Sequence, residues 1–373
     1  MDQRPHGIVI PMVYYPVKDG VNIDVTDRET IMEERIMKKI LGISLSLALV
    51  ISLLAGCGTT AKKPAGDEAA KTGLAVSIAL GSSKNAGEED GLAQIDATVV
   101  AVLVGKDGKI LDCKIDAVQT KVNFSKEGKL LTDVASTFKT KQELGAEYGM
   151  IKGSGIGKEW NEQANAFAAY CVGKTADEVK GIALTEGKPA DADLAASVTM
   201  HVTDYIATVA KAVANAQDLG AAKGDKLGLS ISTDIGNSKD ASADGEGLAQ
   251  AYSYYTATTF GSDNKITSCI LDASQGNVNF GADGVITTDL TAAPQTKQEI
   301  KEGYNMKSSS KIGKEWYEQA NAFAAYCVGK TVDQVKGIAL TEGKPSDADL
   351  AASVTVHVNA FMAGIENAYN NAK

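Results

Sequence analysis

The chain has 373 residues, 44% of them hydrophobic and 23% charged, which is enough apolar material for one large or two ordinary domains and excludes wholesale disorder. Lys and Arg total 37 against 47 Asp and Glu, a formal net charge of -10 and the wrong sign for tracking phosphates, so no nucleic acid is expected as a partner. Histidine occurs only at His6, His201 and His357, and the five cysteines form no CxxC, CxxCH or Cys/His cluster, which excludes c-type haem, iron–sulfur and structural zinc sites.

Residues 1–36 carry Asp and Glu throughout ahead of the Lys38-Lys39 pair, which is not the composition of an export signal, so they read as a mis-assigned start and Met37 as the better one. Met37-Lys38-Lys39 gives a basic flank, Ile40 to Leu53 an apolar run, and Leu54-Ala55-Gly56-Cys57 a cleavage position. This pattern resembles a bacterial lipobox. The resemblance implies that 37–56 is a lipoprotein signal peptide and that Cys57 carries diacylglycerol, anchoring the chain in the lipid bilayer on the outer face of the cell membrane. Ile40 to Ala55 is shorter than the roughly 20 residues of a membrane span, whereas two acyl chains, at ~0.8 kcal/mol per buried CH₂, meet the requirement for stable anchoring. Residues 57–72 are small, polar and charged, and predict a flexible tether behind the lipidated Cys57.

From Gly91 onward the landmarks recur 156 positions later: Cys113 and Cys269, Trp160 and Trp316, Cys171 and Cys327, Thr199 and Thr355. A period that long predicts two tandem copies of one domain, over 73–217 and 226–373 with a linker at 218–225, rather than a solenoid. The copies are unequally alike. Residues 157–199 and 313–355 differ at only four pairs, 161/317, 176/332, 178/334 and 190/346, while 96–138 and 252–294 differ at most positions. Recent partial gene conversion would leave that pattern, and so would one chemistry kept in both copies.

Each copy is predicted to be α+β, a small antiparallel sheet followed by helices. In the first, Asp96 to Val104 and Lys109 to Val118 flank the turn signal Gly105-Lys106-Asp107-Gly108, and Lys121 to Phe124 pairs with Gly128 to Leu131. Trp160, Ala164, Phe167 and Cys171 then share one helix face, and Thr175 with Glu178 forms a capping box for a short helix to Ile182. Leu194, Val198, Val202, Tyr205, Ile206, Val209 and Val213 keep a 3.6-residue period and predict one long amphipathic helix behind the caps Asp191 and Asp193.

Chemistry is expected in Asp193-Leu-Ala-Ala-Ser197-Val-Thr199 and its twin Asp349-Leu-Ala-Ala-Ser353-Val-Thr355. The segment resembles the flavinylation motif of the FMN-binding domain family, an Asp six residues before a Thr or Ser; Ala196, Ser197 and Val198 depart from that family's Ser/Thr-Gly-Ala run. The resemblance implies that a flavin transferase esterifies FMN to Thr199 and Thr355, giving two covalent cofactors. A lipobox, a tether and two such domains further resemble the flavolipoproteins of extracellular electron transfer. That implies an electron carrier between a membrane quinol-linked dehydrogenase and extracellular acceptors such as ferric iron, not a catalyst of its own. A Thr at a helix start would also suit an anionic phosphate, because free N–H groups and the positive dipole end lie there.

Other residues are read more plainly. Trp160 and Trp316 are core rather than flavin stacking partners, His201 and His357 surface or capping residues, and Lys158 and Lys314 solvated. Cys113 with Cys171, and Cys269 with Cys327, make one pair per copy, either a disulfide in an oxidising compartment or two buried thiols. A non-catalytic solute- or cell-wall-binding lipoprotein stays open as the second functional class, although 6% aromatic residues would line an apolar pocket poorly.

Overall fold

A computed structural model describes residues 69–372. The expected start extension, signal peptide, lipidated Cys57 and most of the tether lie outside the described residues. The architecture is mixed α+β with small antiparallel sheets and helices.

Strands β1 (Ala70–Ala79), β2 (Gly91–Gly105) and β3 (Ile110–Phe124) form an antiparallel meander. Gly105 N–H donates to Lys109 O at 2.8 Å, and Gly108 at φ 79° closes the turn between β2 and β3 where the sequence signal placed it. Thr72 is fully buried, so β1 takes in the last residues expected of the tether. On the sheet follow α1 (Lys141–Leu144), α2 (Trp160–Cys171), α3 (Ala176–Lys180), a two-residue hairpin of β4 (Leu184–Thr185) and β5 (Lys188–Pro189), α4 (Ala192–Ala195) and α5 (Thr203–Ala214).

A second meander is built from β6 (Lys226–Asp234), β7 (Gly247–Phe260) and β8 (Ile266–Phe280). It is followed by α6 (Lys297–Ile300), α7 (Trp316–Cys327), α8 (Val332–Lys336), β9 (Leu340–Thr341), β10 (Lys344–Pro345), α9 (Ala348–Ala351) and α10 (Asn359–Asn371).

The alternation of side chains along β2 explains the layering. Ala93, Ile95, Ala97, Val99, Ala101 and Leu103 point to one face and enter a core shared with Leu229, Ile231, Tyr255 and Phe280 of the second sheet. Val100, Val102 and Val104 point the other way, against Trp160, Phe167 and Val209 of the helices. The second sheet has its own outer core, with Leu271 and Ala273 under Trp316, Phe323 and Phe361. The order is helices, sheet, sheet, helices. Both faces of β2 are covered, so its burial is nearly continuous rather than alternating.

The halves also clasp each other at their tips. Phe124 stacks on Phe280 with centroids 4.2 Å apart, Ala241 N–H donates to Gly128 O at 2.7 Å, and Ala86 N–H donates to Gly284 O at 2.9 Å. Gly128 has φ 68°, and a Cβ there would stand 2.6 Å from the Ala241 methyl, so only glycine fits. The 218–225 stretch, expected as a linker, contributes buried Ala221, whose carbonyl accepts from Ala70 N–H at 2.9 Å.

Candidate functional site

The site starts from the capping of α2. Glu159 is its N-cap, and its buried carboxylate accepts from Met150 N–H at 2.8 Å and Ile151 N–H at 3.1 Å, which holds the preceding loop over the helix start. One turn on, the fully buried Gln163 uses its whole amide. Its Nε2 donates to Ser154 Oγ at 3.0 Å and to Lys158 O at 3.2 Å. Its Oε1 accepts from Thr199 N–H at 2.8 Å, Met200 N–H at 3.2 Å and the Thr199 hydroxyl at 3.3 Å.

That convergence overturns the single long helix expected over 194–213. Helix α4, capped by Asp191 on Leu194 N–H at 3.0 Å, ends after Ala195, and α5 begins only at Thr203. Leu194, Val198 and Val202 are all buried, so their four-residue spacing reports burial. The backbone from Thr199 to Val202 is nonetheless non-helical, because Gln163 takes the amides of Thr199 and Met200 and Gly187 O, 2.8 Å from Val202 N, takes that of Val202. Thr199 therefore lies in a loop, half-buried, and its own N–H is engaged rather than free for a phosphate. The uncapped helix start is that of α5, where Val202 has no side-chain acceptor.

The second half repeats each contact. Gln319 Nε2 donates to Ser310 Oγ at 3.1 Å and Lys314 O at 3.2 Å, and its Oε1 accepts from Thr355 N–H at 2.8 Å, Val356 N–H at 3.2 Å and the Thr355 hydroxyl at 3.1 Å. Val358 is again an N-cap without a side-chain acceptor, ahead of α10. Asp193 and Asp349 sit exposed in the first turns of α4 and α9, two residues after the caps Asp191 and Asp347. Ser197 and Ser353 follow those helices, their N–H groups bonded to Leu194 O and Leu350 O at 2.9 Å. Neither Asp makes a hydrogen bond to its Thr, so the structure brings Thr199 together with Gln163 rather than with Asp193. Sequence reading missed Gln163 and Gln319. Their only signal was membership of the near-identical segments, which marks some forty neighbours equally.

The remaining expectations divide. Trp160 is buried and donates its indole N–H to the Tyr205 hydroxyl at 3.0 Å, and Trp316 packs on Phe361, so both are core. His201 is exposed against the β4–β5 hairpin tip. Cys113, Cys171, Cys269 and Cys327 are free, buried thiols, so neither pair is bridged; burial pushes Cys171 and Cys269 up to about 12.

Three further buried ionisable groups, one in the first half and two in the second, went unnoticed in the sequence. Asp116 accepts from Ala117 N–H at 2.7 Å and Gln142 N–H at 3.1 Å, and burial raises its carboxyl to about 6. Asp272 has the same two bonds, at 2.7 and 3.0 Å, and burial raises it to about 7. Lys297 is 2% exposed, donates to the hydroxyls of Tyr252 (2.5 Å) and Tyr304 (2.8 Å), and lies 5.0 Å from the Trp316 ring centroid; burial lowers its amine to about 7.

Among the described residues no group of three or more His, Cys, Asp and Glu is placed to hold a metal ion, and no helix is long and apolar enough to cross a membrane. No family model, curated protein or solved structure matches the chain.

Proposed function

We propose that the chain is a lipid-anchored carrier of electrons, made of two copies of one flavinylated domain, with FMN joined as a phosphoester to Thr199 and to Thr355. The observation that carries this reading is the twinned loop in which a buried Gln amide oxygen gathers the Thr hydroxyl and two consecutive backbone N–H groups. A loop held by a side chain 36 residues away keeps a fixed hydroxyl at a half-open surface, which a modifying enzyme needs and an ordinary helical Thr would not offer.

Two nearby helix starts offer amides to an anionic phosphodiester, with Asp204 in the first turn of α5 opposing it there. Helices α1, α3 and α4 are capped by the side chains of Thr140, Thr175 and Asp191, whereas α5 and α10, four residues beyond Thr199 and Thr355, begin behind Val202 and Val358 with their first-turn N–H groups uncapped. Bound flavin would supply one- and two-electron chemistry. Attachment would form a bond between phosphorus and Thr Oγ and break the phosphoanhydride bond of an activated flavin dinucleotide donor, whose nucleoside monophosphate leaves while the hydroxyl proton passes to a base of the flavin transferase. The protein's own part is to hold the Thr through Gln163 or Gln319 and to present the phosphate to an open helix end. In this reading Cys57 ties the carrier to the bilayer, a membrane quinol-linked dehydrogenase reduces it, and extracellular acceptors such as ferric iron oxidise it.

Expression with the transferase of its own host should give a yellow protein whose intact mass carries two flavin mononucleotidyl groups. Thr199→Ala or Thr355→Ala should each remove one group and the double variant both, with a stability loss of about 1 kcal/mol per lost hydroxyl bond. A colourless wild-type protein of unmodified mass would overturn the carrier reading.

A further inference from the structure

The two sheets meet along their edges twice, β3 beside β6 and β1 beside β8, and a cleft opens at each meeting. The smaller, about 430 Å³, is lined by Val76, Asp272, Glu299 and Lys301, among others. Its acidic wall is answered from within the chain. Lys211 of α5 donates to Val76 O at 2.7 Å and pairs with Glu299 Oε1 at 2.5 Å.

The larger cleft, about 570 Å³, presents the corresponding wall without the corresponding lysines. Glu143 stands where Glu299 does, Asp116 where Asp272 does, and Ile231 holds the β6 position that Val76 holds on β1, each facing its Tyr255 or Val99 partner in register. Asn367 occupies the helix position of Lys211, and Gly145 that of Lys301. Lys114 is paired with Asp112 at 3.9 Å, and among the described residues neither Glu143 nor Asp116 has an ion-pair partner. The cleft thus keeps two carboxylates outside any ion pair, and the side-chain amides of Gln142, Asn165, Asn367 and Asn370 share its lining with the Lys114–Asp112 pair and with apolar Ala168, Ala169 and Val172.

We propose that this cleft is a binding site for a small polar solute carrying a primary alkylammonium group. The ammonium takes the place that the Lys211 amine fills in the other cleft, between the Glu143 carboxylate and the Ile231 carbonyl, with Asp116 as the second acidic wall. The Lys211 side chain is in effect the ligand built into the neighbouring site. A volume of about 570 Å³ suits a metabolite-sized molecule, and the amide lining would hold its polar remainder. The inference stands apart from the flavin reading, since it uses none of the residues around Thr199 or Thr355.

Calorimetric titration of the chain with 1,5-diaminopentane at pH 7.5, in amine-free buffer, tests it. The expected result is one site per chain, weakened at least about tenfold by Glu143→Gln, which removes the charge that meets the ammonium. Asn367→Lys supplies an internal ammonium and should abolish binding while holding or raising the melting temperature. No binding up to about 10 mM diamine, or binding that survives both substitutions unchanged, would overturn the proposal.

Discussion

Lys141 and Lys297 hold the same place in the two halves and live in different surroundings. Lys141 is half-exposed, 4.6 Å from the Tyr148 ring and 5.2 Å from Trp160. Lys297 is sealed, because the second sheet carries Tyr252 and Tyr254 where the first carries Asp96 and Thr98, and the Tyr252 hydroxyl closes over the amine. Set against this, the loops at Thr199 and Thr355 agree to within a few tenths of an ångström in every bond to Gln163 or Gln319. Even the change from Met200 to Val356 is without effect there, since the glutamine reads only the backbone N–H. The differences between the strands change how charge is buried, and the threonine loop is insulated from them because its partner Gln163 or Gln319 lies on the helical layer.

The lysine contrast predicts the largest difference between the halves. An amine whose folded value is lowered to about 7 is protonated less in the folded than in the unfolded chain, so stability rises as pH climbs from about 7 towards 10.5. The ceiling on that rise is about 5 kcal/mol. Urea unfolding of Lys297→Met between pH 7 and 10 should lack the rise that the wild type shows, whereas Lys141→Met should keep it and lose only about 0.5–1 kcal/mol of cation–π attraction. Equal pH slopes in the two variants would break the comparison.

The glutamines should behave alike. Gln163→Ala leaves two backbone N–H groups, a Thr hydroxyl, Ser154 Oγ and a carbonyl without their partner in a buried setting, and should cost about 3 kcal/mol. Gln319→Ala should match it to within about 0.5 kcal/mol by denaturant titration. A large disparity would show that the loops are supported differently despite their geometry.

Local signals were legible in the sequence and long-range ones were not. The helix from Trp160 to Cys171 and the Thr175–Glu178 capping box follow from residues a few positions apart. The break between α4 and α5 does not, because it is imposed by Gln163, 36 residues upstream of Thr199. Strand β1 was not anticipated, since Ala70 to Thr72 match the composition of the tether that precedes them; what makes them strand is pairing with Leu103 to Gly105. The sheet-to-sheet core was hidden for a related reason. A repeat in sequence suggests two bodies joined by a linker, whereas the apolar inner faces of both sheets are satisfied only by each other. The candidate threonines could be named, but the side chain that fixes them could not.

The buried carboxylates give the smallest and most discriminating difference. Asp116 and Asp272 accept the same two backbone bonds, yet burial raises the first to about 6 and the second to about 7. A carboxyl held above its unfolded value binds its proton more tightly in the folded chain. Its stabilising contribution is therefore complete below about pH 4 and is lost as pH rises through the folded value. Asn can accept the same two N–H bonds without ionising, so Asp116→Asn and Asp272→Asn should each remove one falling segment from the stability profile between pH 4 and 8. For Asp272 that segment should reach about one pH unit higher and be larger by about 1.4 kcal/mol. One visible source of the greater burial of Asp272 is the Lys211–Glu299 pair over its side of the smaller cleft, whereas Glu143 beside Asp116 stays exposed. Adding Lys211→Asn to Asp272 should then draw its segment down towards that of Asp116, and an unmoved segment would place the cause in the strands instead.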